Sequence, residues 1–437
     1  MQIEAIYQIY KNHPTISIDN RKIESGCIFV AIKGEKFDGN AFAKSALEAG
    51  ASYAIIDNKD FFIDARTILV ENTLQTIQQL ANLHRKKFSI PFIAICGSNG
   101  KTTTKELANA VLSTSFKTFA TKGNLNNHIG VPITLLSIPT DTEIAIIEIG
   151  ANHLNETYDL CKIAEPNFGL VTNNGKDHLE GFGSIENVRK ANSELFKWLA
   201  EHRGTAFVNS NHLDLIEASN NVRKVVYGFE LANDYPFSII ENEGFASINC
   251  IGAPINYSSY APKDNLEIKS QLFGKFNCDN MAAAATLGDY FNVSGKKIKS
   301  AIENYKPGMN RSQVLVTNGI TFYVDCYNAN PSSMELAIDS FDAIDVKHKG
   351  VILADMLELG EYSLAEHTII INQLKAMQVD KVILIGKYFG QLKDKIPCIH
   401  FQTTPEAAQW LREQSFTGWS LLLKGSRSYA LEQLINY

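Results

Sequence analysis

A short glycine-rich segment, FIAICGSNGKTTTK (92–105), constrains the fold of this chain more than any other feature. Residues 92–96 are wholly apolar, which predicts a buried parallel strand. From Thr103 to Phe116 apolar residues recur at helical spacing, so a helix is expected after the turn. A strand that passes through glycines into a helix presents backbone N–H groups to a phosphate chain. The segment therefore predicts a nucleotide-binding α/β fold.

The glycine turn matches the phosphate-binding loop only in its shorter form. The general pattern has a glycine five residues before Gly100, where this chain has Ile95. The chemistry is still present, because Lys101 can neutralise outer phosphates and the Thr102 hydroxyl can bind Mg²⁺. A glycine turn that binds no nucleotide is the alternative. We expect ATP contacts from Gly97, Ser98, Asn99, Gly100, Lys101, Thr102 and Thr103.

Length and composition are those of an ordinary soluble protein with several domains. The chain has 437 residues, and at roughly 150 residues per domain this length predicts three. Its hydrophobic content of 45% allows a sizeable core. The net charge of −6 and the absence of dense Lys/Arg clusters argue against a nucleic-acid partner.

Neither the N-terminus nor the cysteines indicate secretion. The first residues, MQIEAIYQIYKNHP, lack a basic start followed by an apolar stretch, and no apolar run is long enough to cross a bilayer. We therefore expect a cytoplasmic protein with no membrane partner. The seven cysteines are scattered and never spaced as CxxC, so they are interpreted as reduced core residues rather than disulfides or zinc ligands.

Changes in pattern divide the chain into three α/β segments. Residues 1–87 combine short strand-like runs with helical stretches. Residues 88–311 alternate apolar runs with helices, which favours a mostly parallel sheet, and an antiparallel insertion is expected between about 220 and 270. Residues 312–437 repeat the alternation and predict a second doubly wound sheet. Ligands of such sheets gather at the carboxyl ends of the strands.

Polar residues follow several predicted strands. Glu148 ends an apolar strand, where a buried carboxylate is costly unless it is paired or binds a metal; an exposed strand end is the alternative. His178 follows the strand at 170–172, and a structural role is equally open for a lone histidine. The asparagines of KGNLNNHIGVPITL (122–135) suit a polar substrate or an ordinary turn.

The last third of the chain repeats this placement. Each of its polar residues could alone be a helix cap or a turn residue, but together they indicate the rim of a site. They are Asp325, Tyr327, Asn328, Asp355, Glu358, Lys424, Ser426 and Arg427.

Together these strings resemble the Mur ligases, the ATP-dependent enzymes that form amide bonds in peptidoglycan precursors. The resemblance covers essentially the whole chain, and it is carried by SIDNRKIESGCIFVAIKGEKFDGNAFA, GSNGKTTTKE, GNLNNHIGVP, EIGANH, HLEGFGS, GKFNCDNMAAA, PGMNR, DCYNANPSSM, DMLELGEYSLAEH and KGSRS. It implies a UDP-substrate-binding domain (1–87), a central P-loop ATPase domain (88–311) and a C-terminal Rossmann-like domain (312–437). The most similar branch adds D-alanyl-D-alanine to a UDP-N-acetylmuramoyl tripeptide.

The resemblance also implies roles for individual residues. Thr102 and Glu148 would hold one Mg²⁺ between the ATP phosphates, and His178 would help to hold a second and act, with Lys101, in catalysis. The adenine, phosphate and ribose contacts of ATP would come from Asn277, Asn280, Arg311 and Asp325. Substrate contacts would come from Asn20, Arg21, Asn124, Asn126, Asn127, Tyr327, Asn328, Asp355, Glu358 and His367.

The implied reaction has two steps. The tripeptide carboxylate attacks the γ-phosphate while Mg²⁺ and Lys101 stabilise the charge. The amine of D-alanyl-D-alanine then attacks the acyl phosphate, and the third domain closes to exclude water. The product would be UDP-N-acetylmuramoyl pentapeptide, and we expect the chain to act as a monomer.

Two positions depart from the family pattern. Asn192 stands where most relatives have a carbamylated lysine that binds the second metal, so Asn192 with water, Lys190 or weaker metal binding are all open. Asn155 stands where relatives often have glycine. Other Mur-type ligases, a folylpolyglutamate synthase and a non-catalytic Mur-like subunit are the alternatives. The absence of a DNPR motif argues against the diamino-acid-adding enzyme, and the dispersed cysteines argue against the subunit with a zinc insertion.

Overall fold

The computed structural model describes residues 2–34, 37–251 and 266–436 and contains three successive, largely parallel sheets. Helices flank each sheet, so the predicted α/β class is confirmed. All seven cysteines are free, and five of them are buried, as expected for reduced core residues. In the described part of the chain, no helix has the length and apolarity that a bilayer crossing requires.

The first sheet belongs to the N-terminal part of the chain. Its elements are α1 (Ile3–Asn12), β1 (Ile16–Ser17), β2 (Ile28–Val30), β3 (Lys33–Gly34), β4 (Phe37–Asp38), α2 (Ala43–Glu48), β5 (Tyr53–Ile56), β6 (Thr67–Leu69) and α3 (Thr73–Arg85). Strands β1, β2, β5 and β6 pair in parallel, and β3 and β4 form a separate antiparallel pair. The Asn72 side chain caps α3 by accepting the Gln75 N–H.

The second sheet has nine strands. Its elements are β7 (Phe92–Cys96), α4 (Lys101–Leu112), β8 (Thr118–Ala120), α5 (Gly130–Leu136), β9 (Ile144–Glu148), α6 (Glu156–Ala164), β10 (Phe168–Val171), α7 (Leu179–Phe182), α8 (Ile185–Glu201), β11 (Thr205–Asn209), α9 (Leu213–Ala218), β12 (Arg223–Gly228), β13 (Tyr235–Ile239), β14 (Phe245–Cys250), β15 (Leu266–Phe273), α10 (Asn277–Tyr290) and α11 (Gly295–Asn304). The strand order is β15-β14-β13-β12-β11-β10-β7-β9-β8.

The expected antiparallel insertion at 220–270 is only partly present. Strands β12 and β13 pair in parallel and extend the central sheet, whereas the β13–β14 and β14–β15 pairs are antiparallel. A short strand can also join an existing parallel sheet, and its sequence does not show in which direction it will run. Residues 252–265 of this prediction lie outside the described residues.

The third sheet has six strands. Its elements are β16 (Gln313–Thr317), β17 (Ile320–Val324), α12 (Pro331–Asp342), β18 (Lys349–Ala354), α13 (Ser363–Ala376), β19 (Lys381–Ile385), α14 (Lys387–Gly390), β20 (Ile399–Phe401), α15 (Thr404–Arg412) and β21 (Ser420–Lys424). The order is β16-β17-β21-β18-β19-β20, and only the β16–β17 pair is antiparallel. Asn330 caps α12, and Pro331 occupies the first position of the helix.

The topology of the second sheet determines where a site can form. Strand β7 lies between β10 and β9, and all three run parallel. The segments that follow their carboxyl ends therefore meet at one edge of the sheet. These segments are 97–100, 149–155 and 172–178.

Candidate active site

The glycine turn after β7 is held tightly by its neighbours. Gly97 has a φ of +123°, and a Cβ there would lie 2.2 Å from Thr172 Oγ1. Gly100 has a φ of +83°, and its Cβ would lie 2.4 Å from Asn280 Oδ1. Only glycine fits both the backbone conformation and the space at these positions. The turn can therefore bring its backbone close to a ligand bound at the carboxyl ends of the strands.

Lys101 folds back over this turn at the start of α4. Its Nζ donates hydrogen bonds to the carbonyl oxygens of Gly97 (2.5 Å) and Ser98 (3.0 Å). It also lies 3.9 Å from Asp177 Oδ2. The cation is therefore already at the helix N-terminus, where an anionic ligand is favoured.

Glu148, at the end of β9, is 1% exposed, so the alternative of an exposed strand end is wrong. Its Oε1 accepts hydrogen bonds from Thr102 Oγ1 (3.2 Å) and Asn126 Nδ2 (2.8 Å). Its Oε2 has no hydrogen-bond partner among the described residues and lies 3.6 Å from Lys105 Nζ. A hydroxyl beside a carboxylate with a free oxygen suits Mg²⁺, which takes a few protein oxygens and fills its shell with phosphate and water.

Across the described ranges, no cluster of three or more His, Cys, Asp or Glu side chains could hold a metal ion. The Thr102–Glu148 pair is thus a partial ligand set. It matches a metal that arrives with nucleotide phosphates better than a permanently bound one.

Lys105, one turn beyond Lys101 on α4, was not among the predicted site residues. Its side chain is fully buried, and its Nζ donates to the carbonyl oxygens of Thr121 (2.6 Å) and Gly123 (3.3 Å). It also lies 3.0 Å from Glu106 Oε1. The i, i+4 spacing of the two lysines in KTTTK was the available signal, because it places them on one helix face.

His178 lies after β10 with a left-handed φ of 47°. Its Nδ1 is 2.5 Å from Glu358 Oε2, and its Nε2 is 3.6 Å from Asp177 Oδ1. Burial lowers the pKa of His178, but the hydrogen bond to Glu358 and the charge of Asp177 outweigh it, so the pKa is raised. The same hydrogen bond lowers the pKa of Glu358. Two residues singled out from distant motifs thus lie side by side.

Asn330 joins the third sheet to the phosphate loop. Its Nδ2 donates to Asn99 Oδ1 (2.9 Å) and to Asp177 Oδ1 (3.1 Å). Neither Asn330 nor Asp177 was among the predicted site residues. Their positions beside Asn328 and His178 in the same motifs were the available signal.

Asn277 and Asn280 begin α10 and are buried. Asn280 Oδ1 accepts from Thr104 Oγ1 (2.9 Å), and Asn280 Nδ2 donates to Asn277 Oδ1 (2.8 Å). Asn277 Nδ2 donates in turn to Ser312 Oγ (2.9 Å). The two asparagines therefore brace α4 against the segment that leads into the third sheet.

Asp325, Arg311 and Tyr327 form a second group near that segment. Asp325 Oδ2 lies 2.6 Å from Lys424 Nζ, and its Oδ1 accepts the Ser312 N–H at 3.2 Å. The Arg311 guanidinium lies 3.7 Å above the Tyr327 ring, and within the described residues its Nε has no hydrogen-bond partner. An arginine donor without a partner is available to an anion.

Asp355 and His367 were predicted to contact substrate directly. In the structure both side chains are fully buried. Asp355 accepts the N–H groups of Tyr388 and Phe389, both at 2.9 Å, and so holds the start of α14. His367 Nε2 accepts the Met356 N–H at 3.0 Å. In this structure the two side chains support the fold of the third sheet and present no surface to a ligand.

The remaining predicted contacts are at or near the surface. Arg21 is exposed and paired with Asp19 after β1, with Asn20 in the same turn. Asn127 Oδ1 accepts the N–H groups that begin α5, so its side chain caps that helix. Asn124 and Asn328 are exposed.

Asn192 is buried on α8 and belongs to a polar chain. Its Nδ2 donates to Asn174 Oδ1 (2.7 Å), and Asn174 Nδ2 donates to Asp214 Oδ2 (2.8 Å). Lys190 is exposed, and two residues along a helix correspond to nearly opposite faces. The alternative in which Lys190 replaces the group at 192 is therefore wrong. Asn155 has a φ of 73°, which explains why glycine also suits that position.

Three family models match successive segments of the chain. They are the Mur ligase family catalytic domain (residues 14–85), the Mur ligase middle domain (95–288) and the Mur ligase, glutamate ligase domain (310–427). The chain is 31% identical over 432 residues to the UDP-N-acetylmuramoyl-tripeptide–D-alanyl-D-alanine ligase of Bacillus subtilis, an alignment that covers 96% of this chain and 92% of that protein.

Solved structures of relatives are also similar over nearly the full length of this chain. MurF from Acinetobacter baumannii superposes with a TM-score of 0.86 at 27% identity, covering 99% of this chain and 97% of that one. MurF ligase from Thermotoga maritima in complex with ADP gives a TM-score of 0.83 at 25% identity, covering 97% and 96%. The expected three-domain architecture is confirmed by these matches.

Proposed function

Because this chain belongs to the Mur ligase family, we propose that its site joins D-alanyl-D-alanine to a UDP-N-acetylmuramoyl tripeptide. The chain is an ATP-dependent ligase that forms a C–N bond. Relatives that are 31% and 32% identical over nearly the full chain carry the name of this tripeptide–dipeptide ligase. The observation that carries the proposal is the position of Lys101 and the Thr102–Glu148 pair together at the edge of the second sheet, in a chain that matches these ligases over nearly its full length.

The phosphate loop supplies the nucleotide site in this proposal. Residues 97–103 would surround the phosphates of ATP with backbone N–H groups, and Lys101 would exchange its loop carbonyls for the outer phosphates. Thr102 and Glu148 would hold Mg²⁺, which when bound would neutralise phosphate charge during the attack. Asn277, Asn280, Arg311 and Asp325 would frame the nucleoside end.

The tripeptide carboxylate would attack the γ-phosphate to give an acyl phosphate and ADP. The positive charge of Lys101 reduces the repulsion between the carboxylate and the γ-phosphate. The same charge stabilises the negative charge of the transition state. The amine of D-alanyl-D-alanine then attacks the acyl carbon, and phosphate leaves as the amide forms. The contacts of Asn330 with Asn99 and Asp177 bring the third sheet over this position and would limit the entry of water.

Each sheet unit has a proposed task. Residues 1–87 would bind the UDP moiety through Asn20 and Arg21, residues 88–311 would bind ATP, and residues 312–437 would bind D-alanyl-D-alanine. The muramoyl peptide would meet the asparagines at 124, 126 and 127. Tyr327, Asn328 and Glu358 would contact substrate directly, whereas Asp355 and His367 would shape the third unit from within.

The second metal is proposed to bind weakly. His178 is the predicted ligand for it, and Asn192, whose amide is engaged with Asn174, adds a neutral group where relatives have an anionic one. We further propose that the protein works as a cytoplasmic monomer without a nucleic-acid partner, in keeping with its net charge of −6.

The deciding experiment measures phosphate release from ATP with UDP-N-acetylmuramoyl tripeptide, with and without D-alanyl-D-alanine. We expect sustained release only with both substrates. Lys101→Ala should lower the rate by a factor of about 100 or more, since it removes a charge that acts in the transition state. Release that needs a diamino acid and a shorter UDP substrate, or glutamate and a folate, would contradict the proposal.

A further inference from the structure

The loop after β10 contacts the third sheet through a close ion pair. Lys176 Nζ lies 2.8 and 2.9 Å from the two carboxylate oxygens of Glu366, which is on α13. The Glu366 side chain is 9% exposed and that of Lys176 is 37% exposed. Partial removal from water strengthens such an attraction relative to a pair on the surface. The reaction described above makes no use of either residue.

The same loop links this ion pair to the phosphate site. The Lys176 N–H donates to Ser332 Oγ at 2.9 Å, on α12 of the third sheet. The next residue, Asp177, accepts from Asn330 and lies 3.9 Å from Lys101 Nζ. The position of the third sheet and the surroundings of Lys101 are thus joined by two consecutive residues.

A second carboxylate, that of Glu335, also interacts with the charge of Lys176. Burial raises the pKa of Glu335 on α12, Lys176 lowers it, and Glu366 raises it further. Lys176 therefore faces acidic groups from both α12 and α13. Without its charge, the two carboxylates would repel one another at the surface where the units meet.

We infer that Lys176 and Glu366 are positioning residues whose ion pair holds the third unit against the phosphate loop during the reaction. The inference rests on the proposed function, in which the third unit brings D-alanyl-D-alanine to the acyl phosphate. Lys176 belongs to a loop of the second unit and Glu366 to a helix of the third, 190 positions apart in the chain. Loss of the pair should therefore affect the joining of the units more than the folding of either.

The test uses the full chain with Lys176→Met, Glu366→Lys and the exchanged pair Lys176→Glu with Glu366→Lys. The matched control is Lys117→Met, because Lys117 and Asp141 form a pair of similar length, 2.9 Å, that is exposed and lies within the second unit. Steady-state kinetics with D-alanyl-D-alanine, calorimetric binding of UDP-N-acetylmuramoyl tripeptide, and small-angle scattering with ADP and Mg²⁺ are measured for each protein.

We expect Lys176→Met to reduce kcat/KM for D-alanyl-D-alanine by about tenfold, in line with the loss of a partly desolvated ion pair. The radius of gyration should increase, and tripeptide binding should stay within about twofold of the parent, because that site lies in the other two units. Glu366→Lys alone should reduce kcat/KM for D-alanyl-D-alanine further than Lys176→Met does. The exchanged pair, Lys176→Glu with Glu366→Lys, should recover most of the lost kcat/KM. The Lys117→Met control should match the parent.

An unchanged kcat/KM and radius of gyration in Lys176→Met would overturn the inference, and so would an exchanged pair no better than Glu366→Lys. Failure of the proposed function is distinguishable, because the parent protein would then show no phosphate release that depends on both substrates. The scattering comparison would still test the ion pair in that case.

Discussion

At the scale of single residues, the charged core of the site depends on Lys105. This cation is fully buried beside Glu148 and binds the Thr121 and Gly123 carbonyl oxygens. Removing one member of a buried ion pair leaves the other charge without compensation. Lys105 thus stabilises both the carboxylate and the turn that leads to the asparagine-rich segment.

We predict that Lys105→Met lowers the free energy of unfolding by about 3 kcal/mol, measured by urea denaturation. The methionine fills a similar volume, so the loss reports the charge and its hydrogen bonds. The control is Glu106→Gln, which removes the outer partner of Lys105 and should cost less than about 1 kcal/mol. Equal losses in the two variants would show that Glu148 and the two carbonyl groups contribute little.

The residues of the site differ in how far the sequence could predict them. The proximity of Thr102 and Glu148 follows from adjacent parallel strands, so motif and topology suffice for it. Asp355 could not be placed correctly, because the N–H groups it accepts belong to residues 388 and 389, more than thirty positions away. A polar residue after a strand looks the same in sequence whether it faces a ligand or caps a helix elsewhere.

At the scale of elements, the strand–turn–helix unit of β7 and α4 depends on Gly97. We predict that Gly97→Ala reduces ADP affinity in the presence of Mg²⁺ by at least about tenfold, as measured by calorimetry, because the new Cβ displaces Thr172 and opens the turn. The control is Gly123→Ala, since Gly123 also has a positive φ, +57°, but no atom lies within 4 Å of its Cβ. That variant should lose about 1 kcal/mol of stability and keep its ADP affinity.

Apolar runs predicted the central strands well and the edges poorly. The strand at 92–96 has the expected bounds, because buried parallel strands are continuously apolar. The edge strand β16 is half-buried and mixed in composition, so it carries no continuous apolar run that would predict it. The helix after the phosphate loop begins at Lys101 rather than Thr103. Gly100, the residue just before this helix, has the left-handed backbone conformation that ends the turn, so the helix can start at the next residue.

At the scale of the whole molecule, the first two units share one apolar core, and a buried arginine fastens them. Arg85, at the end of α3, donates to the carbonyl oxygens of Ala164 (2.8 Å) and Glu165 (2.7 Å) at the end of α6. Its guanidinium also lies 3.6 Å above the Phe92 ring of β7. These contacts join the unit proposed to bind UDP directly to the strand that leads into the phosphate loop.

We predict that Arg85→Ala weakens binding of UDP-N-acetylmuramoyl tripeptide by about tenfold and leaves ADP affinity within about twofold, both measured by calorimetry. UDP-N-acetylmuramoyl tripeptide must contact both the first and the second unit, so its binding requires that these two units keep a fixed relative position. The proposed ADP contacts come only from the second and third units. The control is Lys86→Ala, which removes a neighbouring but mostly exposed pair with Glu165, at 3.2 Å, and should change neither affinity. Equal losses of tripeptide and ADP binding in Arg85→Ala would instead mean that the arginine supports β7 itself and not the joint between the units.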